Sequence, residues 1–345
     1  MKTIVVAFLS FFTVALTPLF GFADGEVNLL STRQEFLLRP FLDVFERETG
    51  IKVNVAYLKK GMLERLKARP GEADLILTKD IANLSAITDA GLLQPYSSSV
   101  IDENIPAPWR DADHLWTGLT MRARVFYYSK ERVDPKTLTT YLSLADKKYA
   151  KKICIRSGYH NYNVALVSAM IAEHGKEKAK AWLEGVKSNL ARKPQGNDRA
   201  QIRAVSAGEC DLAIGNTYYM GKMLENPDQR DWAAAVGIFF PDQEGSGTHV
   251  NITGGGITKA AKNKENALKL LEFLSGDLAQ TMYSQVNHEY PLKKGIVLSG
   301  IVKSFGSGQE GIEKGVFKAD TLPMSKIAAH RKDALQLLDE VKFDE

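Results

Sequence analysis

The chain has 345 residues, 44% hydrophobic and 25% charged, which is a globular composition with length enough for two domains of ordinary size. Its 45 Lys and Arg stand against 41 Asp and Glu for a formal net charge of +4, and the signs interleave, as in KEKAKAWLEGVK. The basic residues are therefore solvated helix faces, which excludes a nucleic-acid partner, and the two cysteines, Cys154 and Cys210, fit no zinc or redox C-x-x-C pattern.

At the N-terminus, Ile4 to Phe20 form an apolar run behind the lone charge of Lys2, broken by Pro18 and followed by Gly21-Phe22-Ala23. This is the pattern of a secretory signal peptide, residues 1–23, cleaved after Ala23, and its loss leaves a net charge of about +3. No later stretch is long and apolar enough to span a bilayer. The expected product is exported, has no stable membrane insertion, and is periplasmic in a two-membrane bacterium. In that oxidising compartment Cys154 and Cys210 are expected to pair, contributing about 4 kcal/mol in the chain-entropy treatment. The alternative is two buried free thiols.

From residue 26 short apolar runs alternate with amphipathic helices, the grammar of an α/β fold. VNLL (27–30) predicts a buried strand, FLLRPFLDVFERETG a helix closed by Gly50, and IKVNVAYL a strand with clear alternation. Pro40 is expected to kink that helix or mark its first turn, leaving Ser31 to Glu35 as a loop. DLILT (74–78) with a helix from about Asp80 to Ala90 completes a further unit. KKICI (151–155) leads into Arg156-Ser157-Gly158 and a helix over Asn161 to His174 stopped by Gly175. A helix follows over Lys176 to Leu190 with Trp182 and Val186 on one face, and CDLAI (210–214) leads to a helix starting near Tyr218. LTMRARVFYY (119–128) and THVNITGGGITK (248–259) read as crossings between lobes, the three glycines of the second permitting unusual backbone angles. Two crossings make two discontinuous lobes around a cleft: residues 24–123 with about 250–300, and 124–249 with about 301–345.

Ligands of open α/β sheets bind in the loops after strand C-termini, where helix N-termini offer free N–H groups. Four such loops, STRQE, LTMRAR, RSGYHNYN and GNTYY, carry Arg33, Gln34, Arg122, Arg124, Tyr159, Tyr162, Tyr218 and Tyr219. They contain no Ser-His-Asp grouping and no paired carboxylates, so no enzyme is expected. Phenols titrate near 10 and stay protonated at neutral pH unless a highly charged cation replaces the protons, and hard Fe(III) suits phenolate oxygen. Three phenolates balance its charge, and a small anion such as carbonate, offset by two arginines, can complete the shell. Ordinary packing explains the same residues singly: a tyrosine at a helix start is often core, and one arginine of R-x-R can simply pair with a carboxylate. Two further readings stay open, a metal-free site for a small anion and an exported enzyme using Tyr219 as acid or base. Gly254-Gly255-Gly256 lacks the context of a phosphate cradle, and the six histidines show no metal spacing.

The segments VNLLSTRQEFLLRPFLDVFERETGIKVNV, GLTMRARVFYYSKERV, KICIRSGYHNYN, ARKPQGNDRAQIRAVSAGECDLAIGNTYYMGKML and HVNITGGGITKAAKNKENALKLLEFLSG closely resemble the bacterial periplasmic ferric-iron-binding proteins. Those are substrate-binding components of iron ABC transporters, and the resemblance spans nearly the whole mature chain. It implies a two-lobed class II periplasmic-binding fold, a monomer that hands iron to an inner-membrane ABC permease. It also implies Fe(III) ligation by Tyr218 and Tyr219, with Tyr162 as the third tyrosine and Tyr159 as its weaker rival. Many relatives carry S-x-R-H-Y in the first loop. Here Ser31-Thr32-Arg33-Gln34-Glu35 places Gln34 and Glu35 where the histidine and tyrosine would stand, and Lys79 lies where some relatives supply a glutamate. That resembles the subclass with three tyrosines and a carbonate or bicarbonate anion, held here by Arg33, Gln34 and Arg122. Further candidates are Glu35 and Gln34 for the metal, and Arg124, Ser157, Asn197 and Asn216 for the anion.

Overall fold

The alternating and apolar runs near the start form three parallel strands, β1 (Glu26–Ser31), β2 (Lys52–Tyr57) and β3 (Leu75–Thr78), with β1 between the other two. They belong to a computed structural model describing residues 25–345; the expected leader, 1–23, lies outside the described residues. The remaining strands are β4 (Thr117–Ser129), β5 (Ile153–Cys154), β6 (Leu212–Asn216), β7 (Val236–Phe239), β8 (Val250–Ile257) and β9 (Tyr290–Pro291). Their order is β2-β1-β3-β8-β4-β6-β5, with β7 and β9 also on β4.

The 13-residue β4 organises the molecule. Its first half, through Ala123, pairs antiparallel with β8, and its second half, from Arg124, pairs antiparallel with β6. One apolar core, with Val27, Leu29, Phe41, Phe45 and Leu271, packs on the β1–β3 side. Another, with Phe126, Leu166, Trp182, Ile214 and Leu337, packs on the β6 side, where the Trp182 indole donates to the Tyr141 carbonyl at 2.7 Å. A third runs through Ala123, Val125 and Ile252 between them. This is the two-lobed class II periplasmic-binding fold. Among the described residues no helix is long and apolar enough to cross a membrane.

Two local expectations are corrected. The first helix is Glu35–Thr49, so Glu35 is its first residue and Pro40 lies inside it. Pro40 forfeits one intrahelical bond, to the carbonyl of Phe36, an exposed residue near the helix start where water can serve the oxygen. Gly50 closes the helix at φ 70°, the left-handed conformation that glycine adopts freely. Gly254, Gly255 and Gly256 do not use the unusual backbone angles they permit. All three are buried in β8 and none has positive φ. A Cβ would stand 2.6 Å from Leu84 at Gly254, 2.6 Å from Leu77 at Gly255 and 2.7 Å from the Leu115 carbonyl at Gly256. Glycine is required there for close packing of sheet and flanking chain.

Cys154 and Cys210, both buried, form a disulfide with Cα atoms 5.8 Å apart, tying β5 to the turn before β6. His160 caps the helix Asn161–His174 by accepting from the Tyr162 N–H, and Gly175 ends that helix at φ 83°.

Candidate functional site

β1 runs out into Ser31-Thr32-Arg33-Gln34, a turn pinned by the Thr32 N–H on the Leu77 carbonyl (3.0 Å) and the Lys79 N–H on Thr32 Oγ1 (2.9 Å). Gln34 is the N-cap of the first helix, yet its side chain makes no capping bond. Arg33 is buried. Its Nη1 and Nη2 donate to Glu289 Oε1 and Oε2 at 2.8 and 2.9 Å, a forked pair, and Nη1 also reaches Thr253 Oγ1 at 2.7 Å. Burial opposes the guanidinium charge and Glu289 more than offsets that, so its pKa is raised.

The R-x-R segment lies where β4 changes partners, and the strand period puts both arginines on one face. Both are buried, with different fates. Arg124 is consumed internally: it donates to Asp198 (2.7 Å), Asn216 Oδ1 (3.1 Å) and Asn163 Oδ1 (2.6 Å). Arg122 donates from Nη1 to Thr253 Oγ1 at 3.1 Å, while its Nη2 is buried without a partner. Asp198 opens the helix Asp198–Ser206 and also accepts from Arg156 at 2.9 Å. Burial alone would push the Asp198 carboxyl up; Arg124 and Arg156 bring it below the usual carboxylate range.

The tyrosines come from two helix starts. Tyr162 is in the first turn of Asn161–His174, with the guanidinium carbons of Arg156, Arg122 and Arg124 at 5.5, 5.7 and 5.9 Å from its ring centre and the His160 ring edge-on at 4.5 Å. Burial, reinforced by Arg156, lowers the His160 pKa to about 3, so that ring is neutral. Tyr218 and Tyr219 occupy the first turn of Thr217–Glu225 with their rings stacked at 4.1 Å. Small residues make that corner: a Cβ on Gly215 would meet the Tyr127 ring at 2.0 Å, and one on Gly221 the His288 ring at 2.4 Å. Burial raises the Tyr218 phenol well above its ordinary value, with Tyr162 and Tyr219 adding to it, and burial likewise raises Tyr219, with Tyr162 and Asp198 adding and the bond to Tyr218 opposing. Both are protonated at neutral pH.

Of the residues named from the sequence, Arg33, Gln34, Arg122, Asn197, Tyr162, Tyr218 and Tyr219 line one cavity of about 260 Å³. Arg124 and Asn216 lie buried behind it, bonded to each other. Glu35 and Ser157 do not line it, and the exposed Tyr159 donates to Asp339 at 2.7 Å instead. Sequence reasoning passed over Lys79 as a cavity cation, together with Arg156, His160, Arg199 and Glu289, which also line it. Arg156 and His160 flank the tyrosine block and were within reach of that pattern; nothing in VNHEY marks Glu289. A larger cavity, about 430 Å³ beside Phe239 and Phe240, holds none of the expected residues. Among the described residues no group of three or more His, Cys, Asp or Glu is placed to hold a metal, so phenol oxygens are the donors on offer.

The sequence pattern of bacterial extracellular solute-binding proteins matches residues 30–281. The chain belongs to that family. It is 43% identical to iron uptake protein A1 of Synechocystis sp. over 320 residues, 91% of this chain and 86% of that one. Its fold matches the apo ferric ion-binding protein A of Pasteurella haemolytica with a TM-score of 0.85 at 48% identity, covering 93% and 98% of the two chains. A Trichodesmium protein solved with iron and citrate ligands matches with a TM-score of 0.85 at 40% identity, covering 92% and 100%. As a solute-binding protein the chain needs no covalent chemistry in its cleft.

Proposed function

We propose that this solute-binding protein takes up ferric iron in the periplasm, after export by its leader, and delivers it as a monomer to an inner-membrane ABC permease. Tyr162, Tyr218 and Tyr219 bind Fe(III) as phenolates, and Arg33, Gln34 and Arg122 hold a carbonate or bicarbonate anion that completes the shell. The observation carrying this reading is the meeting of three phenols in one cavity with a buried guanidinium edge, Arg122 Nη2, that has no protein partner. A cation of high charge displaces the phenolic protons, and the orphaned donor calls for an acceptor that the described residues do not supply. The similarity to an iron uptake protein and a ferric ion-binding protein supports the cargo. Contacts from both lobes favour the closed state, the form a permease recognises.

Lys79, Arg156 and Arg199 add positive charge to the cavity, which favours a second reading, a small anion bound without metal. One titration separates the two. Ferric citrate with bicarbonate, added to metal-free protein, should raise a visible phenolate-to-iron charge-transfer band and the melting temperature. A colourless protein with an unchanged melting temperature sinks the ferric reading, and stabilisation by the anion alone, without colour, installs the second.

A further inference from the structure

The buried charges at the cavity do not cancel. Arg33 and Glu289 neutralise each other through their forked pair, both almost fully buried. Arg124 and Arg156 share the single carboxylate of Asp198, leaving one positive charge over. Arg122, 2% exposed, has no carboxylate partner among the described residues and leaves a second. Lys79 and Arg199 line the cavity as further half-buried cations, as Arg156 does, and Arg199 Nε is buried without a partner. A ferric ion with three phenolates adds no net charge, so the surroundings of such a site carry an excess of at least two positive charges, the complement of a multiply charged anion.

We propose that Glu289 sets the charge of the anion this site accepts, an inference that rests on the ferric reading of the cavity given above. By neutralising Arg33 it keeps the positive excess one charge lower; without it the excess rises by one, and an anion of higher charge becomes the better complement. The carboxylate is held for this role. The Glu289 N–H donates to the Tyr283 carbonyl at 3.0 Å, and the Asn287 side-chain amide donates to the Leu37 carbonyl at 2.9 Å. Between these anchors His288 adopts φ 56° and lays its ring against Gly221 of the tyrosine helix. Glu289 therefore enters the cavity from a segment fixed to the first helix at Leu37 and packed against the tyrosine helix at Gly221. It is a specificity-determining residue that touches the anion's clamp.

The test uses the mature protein loaded with ferric iron and two probe anions, oxalate as the dianion and citrate as the trianion, each titrated by the charge-transfer band. In Glu289→Gln the citrate-to-oxalate affinity ratio should rise about tenfold or more, since one unit of buried charge discriminates between ligands of different charge. Glu289→Asp, which keeps the charge, should hold the wild-type ratio, and the double variant Arg33→Gln with Glu289→Gln, which restores the wild-type excess, should bring the ratio back. Arg122→Gln lowers the excess by one and must move the ratio the opposite way, which keeps the test decisive if Glu289→Gln does not fold. A ratio in Glu289→Gln that stays within about twofold of wild type, or a double variant that keeps the shifted ratio, overturns the role of Glu289. A wild-type protein that shows no charge-transfer band refutes the ferric site itself, a separate failure.

Discussion

The phenol of Tyr218 offers a direct count of the proposed chemistry. Burial and the neighbouring phenols hold Tyr218 and Tyr219 protonated across the neutral range, so iron must displace at least their two protons to use both as phenolates. Each displaced proton makes the apparent affinity rise about tenfold per pH unit, or about 1.4 kcal/mol. The wild-type protein should therefore gain at least about 2.7 kcal/mol of ferric affinity per unit between about pH 6 and 8, after correction for the competing chelator. Tyr218→Phe keeps the ring stacked on Tyr219 and removes one proton from the exchange. Its affinity should fall, and the slope should drop by about one log unit per pH unit. The assay is iron competition against a chelator of known proton stoichiometry, read by the charge-transfer band at several pH values. Proton release in unbuffered titrations gives an independent count. A Tyr218→Phe slope equal to that of the wild type would mean that this phenol does not ionise on loading, and the three-phenolate assignment would fall.

Asp198→Asn removes the carboxylate shared by Arg124 and Arg156 and should cost about 3 to 5 kcal/mol in urea unfolding, the penalty for leaving buried charge uncompensated. Because the folded pKa of Asp198 is lowered, its contribution is complete above the ordinary carboxylate range and is lost as pH falls through the depressed value, so the variant should lose stability less steeply in acid than the wild type. His249 is buried with both ring nitrogens unpartnered, and burial followed by Arg124 lowers its pKa to about 3. The unfolded chain takes up that proton near about pH 6.5 and the folded chain does not, so stability falls as pH drops below that value. His249→Phe should flatten the loss by about 2 kcal/mol at about pH 5, measured by denaturant titration. Gly221→Ala forces a Cβ into the His288 ring and should cost about 1 to 3 kcal/mol and weaken iron loading, read by thermal melting and the charge-transfer band.

Much of the fold was legible because its cues are local. Alternation in IKVNVAYL, the stop at Gly50 and the arrest of Asn161–His174 at Gly175 are written within a few residues and reappear as elements. The Tyr218–Tyr219 pair was equally visible, because two adjacent phenols have little use in one core. What escaped depends on distance along the chain. The Arg33–Glu289 fork joins residues 256 apart, and Thr253 receives both Arg33 and Arg122 across a strand register that no single segment declares. Gly254–Gly256 misled for the same reason: their freedom is intrinsic, but the neighbours that require them, Leu84, Leu77 and Leu115, come from other elements.

β4 changes neighbours between Ala123 and Arg124 without a loop or a break. A rotation of one lobe against the other at this place has no slack to use and must be taken up as extra twist in a continuous ribbon, which resists like a torsion spring. Arg122 and Arg124 sit on opposite sides of that twist, one wired to Thr253 and the other to Asp198. Any opening of the cleft therefore draws the Arg122 guanidinium away from the Tyr162 ring, while Arg124, bonded to Asn163 beside that ring, stays with it. The place where the strand changes partners also lines the cavity through Arg122, so under the proposed ferric reading release of the cargo and relaxation of the spring are one event.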